Sequence, residues 1–148
     1  MEEIFISKSE KETKKFGEDF AKKILKRRKK TILALIGDLG GGKTTFLKGL
    51  AKGLKIKEEI VSPSFVLMRK YSIFNSPFFK TFYHLDCYRL EGKEKSFISF
   101  FKKILNEKRT ILAIEWADKI EKILPKGIFF IKFEILGKKK RRISFSFK

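Results

Sequence analysis

The chain has 148 residues and a formal charge of +19, from 36 lysines and arginines against 17 acids. That length suits a single α/β domain over residues 1–148 with a core that needs no metal or disulfide; Cys87, the sole cysteine, excludes an intrachain bridge and suits a reducing compartment. The apolar runs fall far short of the ~20 residues of a membrane span, and the acidic Glu2-Glu3 start is unlike a signal peptide. The expectation is a soluble, cytoplasmic, unprocessed protein with no membrane partner.

Lysine is spread along the whole sequence, glutamine is absent and asparagine is rare, while Lys, Glu, Ile and Phe abound. Two readings of the charge stay open at this point. One is a compositional bias of the thermophile kind, and the other is selection for RNA or acidic partners. Two runs are denser, Lys26-Arg27-Arg28-Lys29-Lys30 and Lys138-Lys139-Lys140-Arg141-Arg142.

Ile4-Phe5-Ile6 reads as a short strand. Ser9 with Glu12 forms an S-x-x-E capping box, opening a helix to about Arg28 whose inner face carries Phe16, Phe20 and Ile24. The first basic run closes that helix, where cations favour the negative end of the dipole. It also leads into the apolar strand 31–36 at its N-terminal end, away from the carboxyl edge, so it is assigned a structural or partner-binding role.

Residues 37–44 read Gly-Asp-Leu-Gly-Gly-Gly-Lys-Thr, a full G-x-x-x-x-G-K-[ST] phosphate-binding loop. An apolar strand precedes it, and Phe46, Leu47, Leu50 and Leu54 come after it at helical spacing. Gly40, Gly41 and Gly42 carry no β-carbon, so their backbone N–H groups can turn inward around phosphates. Lys43 reaches the β/γ-phosphates as a point charge, and the Thr44 hydroxyl suits Mg²⁺. ATP and Mg²⁺ are the expected ligands, with Asp38, Leu39, Gly40, Gly41, Gly42, Lys43, Thr44 and Thr45 as the nucleotide-binding stretch.

Ser62-Pro63-Ser64 supplies two hydroxyls on a stiff turn, a candidate switch near the γ-phosphate. A strand of mixed polarity spans Phe65–Tyr71, Asn75-Ser76-Pro77 turns the chain, and Phe79–Leu85 is a further strand. A helix over Ser96–Leu105 uses Phe97, Phe100, Phe101 and Ile104. Thr110–Ile114 is apolar throughout. A short helix, Asp118–Leu124, stops at Pro125, and Ile128–Leu136 with Ile143–Phe147 make a hairpin across the second basic run. The layout is α/β, a P-loop NTPase fold with a largely parallel sheet and antiparallel C-terminal strands. The phenylalanines recur at strand and helix spacing and read as core rather than as platforms for bases.

Hydrolysis needs carboxylates near the metal and the attacking water. Asp86 and Glu115 each come directly after an apolar strand, and in an open α/β sheet ligands sit beyond the carboxyl ends of strands. Both acids should therefore face the γ-phosphate beside Lys43. One would hold Mg²⁺ directly or through water, and the other would orient or deprotonate the water. His84 flanks Asp86, Trp116 adjoins Glu115, and Glu10 and Thr13 are further candidates to reach the nucleotide.

Four blocks give the chain a resemblance. Residues 37–45, Gly-Asp-Leu-Gly-Gly-Gly-Lys-Thr-Thr, resemble G-D-L-G-A-G-K-T-T of the TsaE (YjeE) family; Ser62-Pro63-Ser64-Phe65 resembles S-P-T-[FY]; residues 84–90 resemble H-x-D-x-Y-R-L; and Ile114-Glu115-Trp116 resembles I-E-W. Residues 92–103 depart most from the family pattern. The resemblance implies a P-loop ATPase needed for threonylcarbamoyladenosine at position 37 of tRNA, with TsaD and TsaB as partners and tRNA met through their complex. It implies Thr44 and Glu115 as Mg²⁺ contacts and Asp86 as the Walker-B-like acid.

A GTPase is disfavoured, because no N-K-x-D motif exists and no D-x-x-G comes after the loop. The enzymatic alternative is a small-molecule or nucleoside kinase. The non-enzymatic one is an RNA-binding module whose salt-dependent affinity ignores nucleotide.

Overall fold

The computed structural model describes residues 2–38, 40–61, 67–91 and 94–148. In chain order these form β1 (Glu2–Ser7), α1 (Glu10–Arg27), β2 (Thr31–Gly37), α2 (Lys43–Gly53), β3 (Met68–Ser72), β4 (Thr81–Asp86), α3 (Lys95–Leu105), β5 (Thr110–Glu115), a 3-10 helix (Ala117–Ile123), β6 (Phe129–Ile135) and β7 (Arg141–Phe147). Among the described residues the strands make one seven-stranded sheet, ordered β1-β7-β6-β2-β5-β4-β3. β2 is parallel to both β5 and β6, and β4 is parallel to β5. β3, β7 and β1 join antiparallel to their neighbours. The expected mixed α/β architecture with an antiparallel tail is what the chain adopts.

Alternation along each central strand feeds two cores. Leu33, Leu35, Ile111 and Ala113 face the layer of α1 and α2, packing with Phe20, Ile24, Phe46 and Leu50. Ile32, Ala34, Leu112 and Ile114 face α3 and the 3-10 helix, packing with Phe97, Phe101 and Ile120. Strands sheltered on both faces read as unbroken apolar runs, which is why β2 and β5 were visible in the sequence.

α1 begins at the predicted cap, Ser9, with the return bond of the box shifted by one residue. Ser9 Oγ accepts from Glu12 N at 3.1 Å, while Glu12 Oε1 accepts from Lys8 N at 3.0 Å, one residue ahead of the cap. α1 then lies unusually close to α2. A Cβ on Gly49 would fall 1.9 Å from the Lys14 carbonyl oxygen, and one on Gly17 2.2 Å from that of Phe46. Only glycine permits this approach, and it fixes α2, and hence the loop before it, against α1.

Three boundaries differ from expectation. β3 starts at Met68, just after Leu67 takes a left-handed φ of 61°, and residues 65 and 66 lie outside the described residues. β4 starts at Thr81 because the turn runs on through Ser76 Oγ, which accepts from Phe78 N and Phe79 N at 3.2 and 2.9 Å. The helix after β5 is a 3-10 helix interrupted at Ile120. Most phenylalanines are core, with Phe46, Phe79, Phe82 and Phe101 fully buried, but Phe74 is 83% exposed and Phe147 about half exposed.

The first basic run sits at the sheet edge away from the glycine loop, and two of its members are structural. Lys30 Nζ donates to the carbonyls of Ile104 and Glu107, each at 2.6 Å, tying off the end of α3. Burial lowers its pKa to about 8 against the opposing pull of Glu107. The Arg27 guanidinium lies 4.8 and 5.0 Å from the ring centroids of Phe129 and Phe147.

Candidate active site

β2, β4 and β5 run parallel, so Gly37, Asp86 and Glu115 reach the same edge of the sheet together. The chain leaves β2 through Gly37, where a Cβ would stand 2.6 Å from the Phe133 carbonyl oxygen. Gly41 N then donates to Asp38 O at 3.0 Å, and Gly40 and Gly42 take φ of 80° and 102°. These are left-handed values that a side chain disfavours. Leu39 lies outside the described residues. Gly42 caps α2 and has no side chain to bond the first-turn amides, so the positive end of that helix is left facing the cleft.

Lys43, 4% exposed, points back into the edge. Its ammonium donates to the Gly37 carbonyl and lies 4.0 Å from the centroid of Trp116. Burial lowers its pKa, opposed first by Glu115 and then by Asp86, Asp118 and Asp38. The cation is thus held by a carbonyl, an aromatic face and diffuse negative charge, all of which an incoming phosphate can outcompete.

Asp86 and Glu115 are direct partners in the β4–β5 register. Glu115 is 6% exposed, and its Oε2 meets His84 Nε2 at 2.7 Å, with His84 itself 2% exposed. Nδ1 of that histidine is buried with no partner among the described residues. A neutral ring donating from Nε2 leaves a bare lone pair there, which costs less than a buried unpaired N–H. His84 therefore anchors one oxygen of Glu115 and leaves the other available. Asp86 Oδ1 accepts from Tyr88 N at 2.9 Å. Burial raises its carboxyl above the usual range and Glu115 adds to this, while the Tyr88 amide, His84 and Lys43 pull the other way.

A cleft of about 620 Å³ opens over this edge. The glycine loop, Lys43, Thr44, Thr45 and Glu115 line it together with Glu10 and Thr13 of α1. Asp86 is not in the lining; it stands beside Glu115 on the same rim. Ser62 and Ser64 lie outside the described residues. Among the described residues no group of three His, Cys, Asp or Glu side chains is arranged to hold a metal by itself. A hydroxyl at Thr44 with one or two neighbouring carboxylates is a hard oxygen set, which fits Mg²⁺ that keeps waters and shares phosphate oxygens.

The second basic run stands out in the sequence, but its place at the site does not. Lys138, Lys139 and Arg141 also line the cleft. Arg141 Nε donates to Gly40 O at 3.1 Å, and its NH1 donates to Gly137 O and Lys140 O at 2.9 and 3.0 Å. One guanidinium thus ties the β6–β7 turn to the glycine loop. The signal was the parallel pairing of β6 with β2, which brings the end of β6 to the loop's edge.

The family model described as Threonylcarbamoyl adenosine biosynthesis protein TsaE matches residues 7–143. The chain belongs to the TsaE family. It is 40% identical over 107 residues to the tRNA threonylcarbamoyladenosine biosynthesis protein TsaE of Borreliella burgdorferi, covering 72% of this chain and 74% of that one. With the TsaE of Rickettsia felis it shares 32% identity over 142 residues, or 95% and 78% of the two chains. The match to the TsaE of Nostoc sp., 41% identical, covers 61% of this chain and about half, 54%, of the relative. Among solved structures, YdiB of Bacillus subtilis superposes with a TM-score of 0.73 at 29% identity, covering 98% of this chain and 84% of that one. TsaE membership places the protein in threonylcarbamoyladenosine biosynthesis. Among the described residues no helix is long and apolar enough to cross a membrane.

Proposed function

We propose that the protein binds ATP with Mg²⁺ in this cleft and hydrolyses it in the cytoplasm. This would support the complex that installs threonylcarbamoyladenosine at position 37 of tRNA, with homologues of TsaD and TsaB as partners and tRNA reached through them. The observation that carries the reading is the convergence of the glycine loop, Lys43, Asp86 and Glu115 on one sheet edge. Loop amides and the end of α2 offer partial positive charge to the phosphates. Lys43 exchanges its carbonyl and ring contacts for a phosphate oxygen. Thr44 and one of the two acids, Glu115 or Asp86, would supply oxygens for the cation. Mg²⁺, when bound, neutralises phosphate charge and lends the site Lewis acidity. His84 keeps Glu115 from rotating away, so that of the two acids one holds the cation and the other orients or deprotonates water.

Hydrolysis in this reading sustains turnover of the modifying complex rather than forming the base itself. The test is complementation of a strain lacking its own TsaE, with the modified adenosine read by mass spectrometry. Wild type restores the nucleoside and Lys43→Ala does not; restoration by Lys43→Ala overturns the reading. Phosphate release without transfer to nucleosides or metabolites separates an ATPase from a kinase.

A further inference from the structure

We propose that the sheet edge opposite the cleft is an RNA-binding surface that takes the phosphate backbone. The proposal leans on membership of a tRNA-modifying family but not on the ATPase reading. The chain enters β2, β4 and β5 from this edge. Gathered there are Lys26 in the last turn of α1, Arg28 and Lys29 between α1 and β2, Lys102 in the last turn of α3, and Lys108 and Arg109 before β5. All six are exposed, and among the described residues none sits in an ion pair. Contacts across the edge hold them together. Lys30 joins the start of β2 to the end of α3, and Lys80 N donates to Arg109 O at 2.8 Å, joining the entries to β4 and β5.

Helix dipoles and composition do not explain the cluster. Dipoles favour Lys26 and Lys102 in their last turns and Arg28 at the α1 C-cap, but Lys29, Lys108 and Arg109 lie beyond both helices. A uniform excess of lysine would leave acids interspersed, as they are at the cleft edge around Asp38, Asp86, Glu115 and Asp118. Here Glu107 stands alone between α3 and β5, bonded by the Tyr83 hydroxyl at 2.6 Å; beyond it, Glu58 and Glu59 come after α2. Gathering like charge costs stability, and a polyanion removes that cost. The six offer point charges and forks for phosphates. Phe74, 83% exposed, stands after β3 on this same edge, where its ring can stack an unpaired base.

The test measures binding of the full chain to an unmodified tRNA transcript by fluorescence anisotropy across a salt series. Lys26→Glu/Lys29→Glu/Lys108→Glu is compared with Lys138→Glu/Lys139→Glu/Lys140→Glu. Expected for the first is a loss of about tenfold or more near 0.1 M salt, with the log–log salt slope flatter by about two to three. Expected for the second is a change under about threefold, with neither melting below wild type. Equal loss in both variants, no loss in the first, or binding to phosphatidylserine vesicles without binding to RNA would overturn the proposal. Lys43→Ala should bind RNA like wild type, so failure of the nucleotide reading leaves this result standing.

Discussion

Lys43 is the residue on which the proposed chemistry turns, because its ammonium waits on a carbonyl and a ring rather than in a strong ion pair. Lys43→Ala is expected to cut phosphate release by about 100-fold or more, the range for losing one preorganised charge-stabilising group. His84 is a positioning residue. His84→Ala should slow turnover by about tenfold, in the range seen when the partner that orients a metal-binding group is removed. In the double variant with Glu115→Gln it should add nothing, which a mutant cycle on phosphate release would show. The glycine loop was readable because all its parts lie within eight consecutive residues, 37–44. Arg141 was not, because its bond to Gly40 spans 101 positions and the sequence does not say which turn meets which loop. His84 was visible in its motif, but its bond to Glu115 depends on the β4–β5 register.

At the level of elements, the start of α1 and the buried strands announced themselves through a capping residue and apolar runs, whereas the contact between α1 and α2 did not. Gly17 and Gly49 look like ordinary helix-weakening residues until the helices are seen to touch backbone to backbone. Gly49→Ala should therefore destabilise the protein by roughly 1–3 kcal/mol despite alanine's better helix propensity, measured by urea denaturation. Strand β4 is tied to the α3–β5 loop by Tyr83 and Glu107, at 2.6 Å. Burial, aided by the hydrogen bond and charge of Glu107, pushes the Tyr83 phenol up to about 12. Unfolded tyrosine ionises near 10. Above that pH the unfolded chain binds fewer protons than the folded one, so stability falls as pH rises toward 12. Absorbance titration should show the Tyr83 phenol ionising late, and Glu107→Gln should bring it earlier.

For the whole molecule, 19 excess positive charges repel one another in the compact state. Raising ionic strength from about 0.02 to about 0.3 M screens that repulsion. The melting temperature should therefore rise, as calorimetry would record; a fall would mean that attractive ion pairs dominate. The sheet order was the least legible feature, since local pattern identifies strands but not neighbours. β2 lies between β5 and β6, and β6 comes after every other part of the cleft except the basic turn with Lys138, Lys139 and the clamp at Arg141. This order has a consequence for vectorial synthesis. A nascent polypeptide extruded as far as Glu115 already carries the glycine turn and both acids, yet one flank of β2 stays unpaired and the loop lacks its guanidinium tether. On the ribosome, the proposed nucleotide cleft should therefore mature late, only once the β6–β7 hairpin has emerged from the exit tunnel.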